Sequence, residues 1–123
     1  MHAFDTNSGI PYASVDFTKD KGFNPGWSRS ATSTSEAASV QLEFNYLSYL
    51  TNNNKYATTA RRSQDLVIQA QRKANPPLLR KFINIDSASF TDNRISFGSR
   101  IDSTYEYYLK VPYVCNVCIE IGI

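Results

Sequence analysis

The chain has 123 residues, 41% of them apolar and 20% charged, with Lys plus Arg exceeding Asp plus Glu by 13 to 11. This composition fits one small globular domain or a piece of a larger one, and it excludes wholesale disorder. A net charge of +2 is too small to point to nucleic acid or an anionic membrane. No apolar run approaches the ~20 residues needed to cross a bilayer. No apolar leader follows Met1, so no secretory signal is expected in this chain. The single His and the two Cys, at 115 and 118, leave little material for a His/Cys metal site or a disulfide framework. Aromatic residues reach 13%, and such side chains line sugar-binding clefts as well as cores.

In chain order, residues 1–32 read as loop, with turn signals at Asn7-Ser8-Gly9, Asp20-Lys21-Gly22 and Asn24-Pro25-Gly26 and a short strand expected within Tyr12–Phe17. Ser33-Thr34-Ser35-Glu36 is a capping box, with Ser33 as N-cap, and it opens a helix expected to reach Thr51. Ala37, Val40, Phe44 and Leu47 mark one apolar face of it, and Leu42, Tyr46, Tyr49 and Leu50 a second, which predicts burial on more than one side. A second helix is expected from about Lys55 to Ala74, with Tyr56, Ala60, Val67 and Ala70 in one stripe, before Asn75-Pro76-Pro77 stops it. Phe82–Ile85 and Ile95–Phe97 read as a hairpin. A third helix is expected from about Ser99 to Lys110. A buried helix, an exposed helix, a hairpin and a further buried helix suit the alternating inner and outer helices of an α/α barrel.

Several strings occur in one order. Ala3-Phe4-Asp5-Thr6-Asn7-Ser8-Gly9-Ile10-Pro11-Tyr12 and Asn24-Pro25-Gly26-Trp27 come first, followed by the capping box leading to Gln41-Leu42-Glu43-Phe44. Phe82-Ile83-Asn84 and Ile95-Ser96-Phe97-Gly98-Ser99-Arg100-Ile101-Asp102-Ser103-Thr104-Tyr105-Glu106-Tyr107 complete the set. Together they resemble the class I α-1,2-mannosidases of glycoside hydrolase family 47, which trim N-linked glycans in the endoplasmic reticulum and Golgi. The resemblance implies a mainly α fold, part of an (α/α)7 barrel, with about two inner/outer helix pairs and one short hairpin. It further implies an inverting hydrolase with bound calcium. This chain is expected to be an internal slice of such a barrel, lacking the direct protein ligand of calcium and needing the missing remainder of the barrel as its partner.

The resemblance assigns three site residues, and each has a plainer reading beside it. Asp102 matches the aspartate of the family's Arg-x-Asp-Ser-x-Tyr-Glu motif, which implies a part in acid catalysis; an aspartate in the first turn of a helix also simply favours the helix dipole. Arg100 matches a sugar-contacting arginine, whose guanidinium fork can hold paired hydroxyls if the chain is not yet helical there. The plainer reading of Arg100 is an ion pair with Glu106. Glu36 matches an acidic residue of the glycan cleft, yet the capping box already accounts for it. Glu43 and Glu106 also match acidic positions; among apolar helix residues they are expected to be buried and to brace the barrel floor. Trp27 can stack on a sugar or pack in a core. His2 is expected to be exposed.

Departures from the family are Asn7 and Arg80 where Pro is usual, Thr104 for an aromatic residue and Tyr108 for Leu. After Lys110 the family pattern is lost. Pro112 is expected to interrupt the helix, and residues 111–123 read as a non-family tail produced by translation past an exon end. The Cys115-x-x-Cys118 pair lacks the βαβ context of a redox motif. The expected activity is hydrolysis of α-1,2-linked mannose from high-mannose N-glycans in the endoplasmic reticulum or Golgi lumen, as part of a longer enzyme, with this chain inactive alone. The rival expectation is a non-catalytic glycan-binding or structural remnant.

Overall fold

A computed structural model describes residues 1–120, with side chains described as far as Val114. The N-terminal segment is more ordered than its turn signals imply. A 3-10 turn at His2–Phe4 precedes two short strands, β1 (Ser14–Asp16) and β2 (Lys21–Phe23), which pair antiparallel. Gly22 is required there, because a Cβ would lie 2.3 Å from the Tyr12 ring.

A third strand, β3 (Ala31–Ser33), runs into α1 (Thr34–Ala38). The capping box is present: the Glu36 backbone N–H donates to Ser33 Oγ (3.2 Å), and the Ser33 N–H donates to Glu36 Oε2 (2.9 Å). The single helix expected over 33–51 is broken. Ser39 leaves helical geometry, its hydroxyl donates to the Ser35 carbonyl at 2.6 Å, and the chain restarts as α2 (Gln41–Thr51). A serine that bonds back to the preceding turn competes with the helical ladder, and periodicity carries no sign of it.

The next helix, α3 (Lys55–Lys73), matches its expected range and buries Ala60, Ser63, Val67 and Ala70. The strand β4 (Phe82–Asn84) pairs antiparallel with β3, placing Thr32 opposite Ile83, and not with residues 95–97 as expected. Phe90 returns only as a single bridge to Ile83, while Ile95 and Phe97 stay exposed. β3 is wholly buried, so it offers β4 a drier partner than a loop on the surface.

The last helix, α4 (Asp102–Glu120), begins later than expected and passes through Pro112. A proline removes one backbone hydrogen bond inside a helix. Pro112 is exposed, where water can take the freed carbonyl.

The core is small. Ile10, Ala37, Ala38, Val67, Leu79, Ile83 and Ile101 lie at its centre, with Tyr105 and Tyr108 packed against it. α1 and α2 both contact α3 on one side and α4 on another. The Thr34 N–H donates to the Lys81 carbonyl (3.0 Å) and the Thr34 hydroxyl to the Arg80 carbonyl (2.5 Å), which fixes α1 to the segment entering β4. Arg80 is buried. Its guanidinium donates to the carbonyls of Leu78, Asn75 and Pro76 and so binds that loop together. Thr104 is fully buried with its hydroxyl unpartnered among the described residues. An unpaired buried hydroxyl is a cost.

The second apolar strip of α2 is not covered. Tyr46, Tyr49 and Leu50 are each about 60% exposed, so α2 buries only Gln41 and Ser48. Glu43 and Glu106, expected to be buried, are both exposed. Glu43 accepts a hydrogen bond from Tyr107 (2.6 Å), and Glu106 pairs with Lys110 one turn along α4. These helices turn the faces bearing the two carboxylates away from the small core.

Candidate functional site

The site is built where the start of α1 meets the loop 98–102. Gly98 turns the chain: its carbonyl accepts from the N–H groups of Ile101 (3.3 Å) and Asp102 (3.1 Å). Arg100 lies in that turn with a φ of 76°, a left-handed conformation that a non-glycine residue adopts at some cost. It is therefore outside α4, as its proposed reach into a cleft requires. Its carbonyl accepts from the Ser35 N–H at 3.0 Å.

Ser35 is the connection between the two segments. Its backbone is tied to Arg100, and its hydroxyl donates to Asp102 Oδ1 at 3.3 Å. Asp102 Oδ1 also accepts from the Ser103 N–H (3.0 Å), while Oδ2 has no partner among the described residues. Asp102 is exposed and opens α4, where its charge favours the helix start and its carboxylate reaches solvent.

Glu36 is arranged in the same way. Oε2 carries the capping bond and also accepts from the Thr32 hydroxyl (3.1 Å). Oε1 has no partner among the described residues, and the residue is exposed. One oxygen serves the fold and the other is free for a ligand. Glu36 and Asp102 thus flank Ser35, one in the same turn of α1 and the other across the hydrogen bond.

Arg100 does not pair with Glu106. Its guanidinium carbon lies 4.6 Å from the Trp27 ring centroid and 5.4 Å from that of Phe82. Trp27 is 63% exposed and meets Phe82 edge-on at 6.0 Å, which removes a core role for it. Together with Lys81, Asp92 and Arg94 these residues line an open cleft of about 430 Å³. Cation–π contacts of this kind hold a flexible arginine in one place.

Sequence reasoning singled out Arg100, Asp102, Glu36 and Trp27 and missed Ser35, Lys81, Phe82 and Arg94. Ser35 was legible as a member of the capping-box string, but its bonds to residues 100 and 102 depend on a contact 67 residues away. His2 is exposed as expected, 3.8 Å from Asp20. The Cys115 and Cys118 side chains lie outside the described residues. Among the described residues no group of three or more His, Cys, Asp or Glu side chains gathers to hold a metal ion. The described residues thus gather no carboxylate cluster of the kind that holds a calcium ion. No helix among the described residues is long and apolar enough to cross a membrane.

Comparison with known proteins places the chain among relatives. Residues 1–117 match the profile of glycosyl hydrolase family 47. The chain is 39% identical over 108 residues to a mannosyl-oligosaccharide 1,2-α-mannosidase of Candida albicans, covering 88% of this chain and 19% of that protein. It is 35% identical over 111 residues to one of Caenorhabditis elegans, covering 89% and 18%. An endoplasmic reticulum mannosyl-oligosaccharide 1,2-α-mannosidase of Schizosaccharomyces pombe is 33% identical over 115 residues, with coverages of 89% and 21%. The α-1,2-mannosidase from Trichoderma reesei superimposes with a TM-score of 0.71 at 28% identity, over 88% of this chain and 22% of that one. The chain thus spans about a fifth of the length of the relatives it matches. Its mainly helical fold corresponds to a fragment of theirs, and by sequence and fold alike the chain belongs to glycosyl hydrolase family 47.

Proposed function

We propose that this chain supplies part of the glycan cleft of an α-1,2-mannosidase acting on high-mannose N-glycans in the endoplasmic reticulum or Golgi lumen. Asp102 takes part in acid catalysis at the glycosidic oxygen, and Arg100 and Glu36 hold the sugar. The observation that supports this most is the Ser35 link, which ties the Arg100 turn and the Asp102 carboxylate to the turn of α1 that carries Glu36. The partial barrel is completed by partner segments of the kind that make the relatives about five times longer. Calcium belongs to that larger assembly. A change of origin at Val111 is part of the same proposal, against which the family profile's extension to residue 117 counts; transcript sequence across codon 110 tests it, and continuous homologous coding would remove it.

Inversion needs a second carboxyl group about 6.5–9.5 Å from the first, with room for a water between them. Asp102 cannot both protonate the leaving oxygen and activate water on the opposite face. Purified 1–123 is therefore expected to release no mannose from α-1,2-mannobiose, with or without calcium. Release abolished by Asp102→Asn would overturn the assignment of inactivity. In a full-length relative carrying the same motif, Asp102→Asn is expected to lower turnover by at least about a hundredfold. Unchanged turnover there would overturn the catalytic role.

The second reading, glycan binding without turnover, is favoured for the isolated chain by the open cleft at Trp27, Phe82 and Arg100. Binding of mannose oligosaccharides by 1–123 without hydrolysis would support it. Absence of any binding would leave a structural remnant.

A further inference from the structure

The cleft at Arg100 carries more positive charge than a neutral sugar needs. The Phe82 ring draws two guanidinium groups together, Arg94 at 5.7 Å and Arg100 at 5.4 Å from its centroid. Lys81 lines the same cleft and has no ion pair among the described residues. The one carboxylate in the lining is Asp92, whose Oδ2 is paired with Arg94 Nε at 2.7 Å, so it offsets that one guanidinium and leaves Lys81 and Arg100 as the unbalanced cations of the cleft. The whole chain carries only +2, so this is a local concentration of charge. Trp27 projects beside it with most of its surface open.

We infer that the cleft formed by Trp27, Lys81, Phe82, Arg94 and Arg100 binds a hexose that carries a phosphate ester. The cations take the phosphate oxygens, for which guanidinium forks are well matched, and the indole edge takes the apolar face of the ring. This deepens the proposed function, since it rests on the same Arg100 cleft and adds a substrate feature to it. No covalent step is involved.

Trp27 is the chain's single tryptophan, so its emission reports this cleft alone. The probes are mannose 6-phosphate, mannose and inorganic phosphate, each titrated into the 123-residue chain. Mannose 6-phosphate is expected to change the emission saturably, with an affinity at least about tenfold above that of either other probe. The advantage over mannose is expected to vanish in about 1 M salt, where the screening length falls to about 3 Å. Lys81→Gln is expected to reduce the affinity for mannose 6-phosphate several-fold without changing helix content, because residue 81 holds α1 through its backbone carbonyl and not its side chain.

Equal responses to mannose and mannose 6-phosphate would overturn the inference and leave the neutral-glycan reading standing. Inorganic phosphate binding as tightly as the sugar phosphate would overturn it as well, showing a cationic patch with no sugar recognition. Response to none of the probes would also overturn it, while Asp102→Asn in the full-length relative judges the proposed function separately.

Discussion

The two sides of the α1–α2 strip both carry apolar residues and end in opposite conditions. Toward α3, small side chains meet closely: Ala37, Ala38, Ala60, Ser63 and Val67 are fully buried, and the Ser63 hydroxyl donates to the Ala37 carbonyl at 2.7 Å. On the other side, Tyr46, Tyr49 and Leu50 of α2 stand in solvent, as do Leu109 and Tyr113 of α4, at 78% and 72% exposure. An apolar stripe predicts that a face will seek cover, but it does not say whether the cover lies within the same 123 residues. Large contiguous apolar patches are a common feature of interaction faces.

The sharpest test of the closed side is Ile83→Ala. It removes a fully buried side chain where β4 meets the core, and the expected loss is about 2–5 kcal/mol in urea unfolding. A loss below about 0.5 kcal/mol, the range of ordinary surface substitutions, would show that this side is not a core at all.

Next in size is the cap. Ser33→Ala is expected to cost about 1 kcal/mol by removing the acceptor for the Glu36 N–H. Glu36→Gln keeps an oxygen for the return bond, so its effect on stability should stay under about 0.5 kcal/mol while glycan affinity in a full-length relative falls. If stability and affinity are both unchanged, Glu36 is a cap and nothing more.

The open side should answer differently. Tyr46→Ser combined with Leu109→Ser is expected to change unfolding free energy by under about 0.5 kcal/mol. The same pair should lower self-association in sedimentation and reduce binding of an apolar dye. A parent chain that is already a monomer, with a sharp two-state transition and no dye binding, would break the contrast between the two sides.

The smallest effect is a titration. Tyr107 donates to Glu43 across α4 and α2, and that hydrogen bond, with the carboxylate's charge behind it, pushes the phenol up to about 12. Between the ordinary value near 10 and that raised one, the unfolded chain holds fewer protons than the folded chain. The stabilisation is thus complete below about pH 10 and is lost as pH rises toward 12. Ultraviolet absorbance should show one fewer tyrosine titrating late in Glu43→Gln. Tyr108, also held at about 12 but by burial, should not move with it.

Local signals were legible and non-local ones were not. The Ser33 cap and the extent of α3 could be read because each depends on residues within a turn or a stripe. The β3–β4 pairing was missed because Ala31–Ser33 and Phe82–Asn84 are brought together by the chain's path, and nothing near either strand names its partner. The break at Ser39 was missed because one hydroxyl outweighed an otherwise continuous pattern. At the site, Asp102 and Arg100 were reached through resemblance, not through spacing. Lys81 and Arg94 went unnoticed because they join the cleft only once Phe82 is in place.

The Ser8 hydroxyl donates to the Ile85 carbonyl at 2.6 Å, across 77 residues, and Arg62 donates to the Ser8 carbonyl at 2.8 Å. An earlier segment of this stretch is thus fastened to a later one. On a ribosome adding roughly 5–20 residues per second, Ile10 has no finished core to enter until β4 has left the exit tunnel, several seconds after its own emergence. Through that interval the 3-10 turn and the β1–β2 pair stand without the core they later join. High contact order of this sort slows folding. The order of synthesis therefore bears on how this stretch folds, beside its final packing.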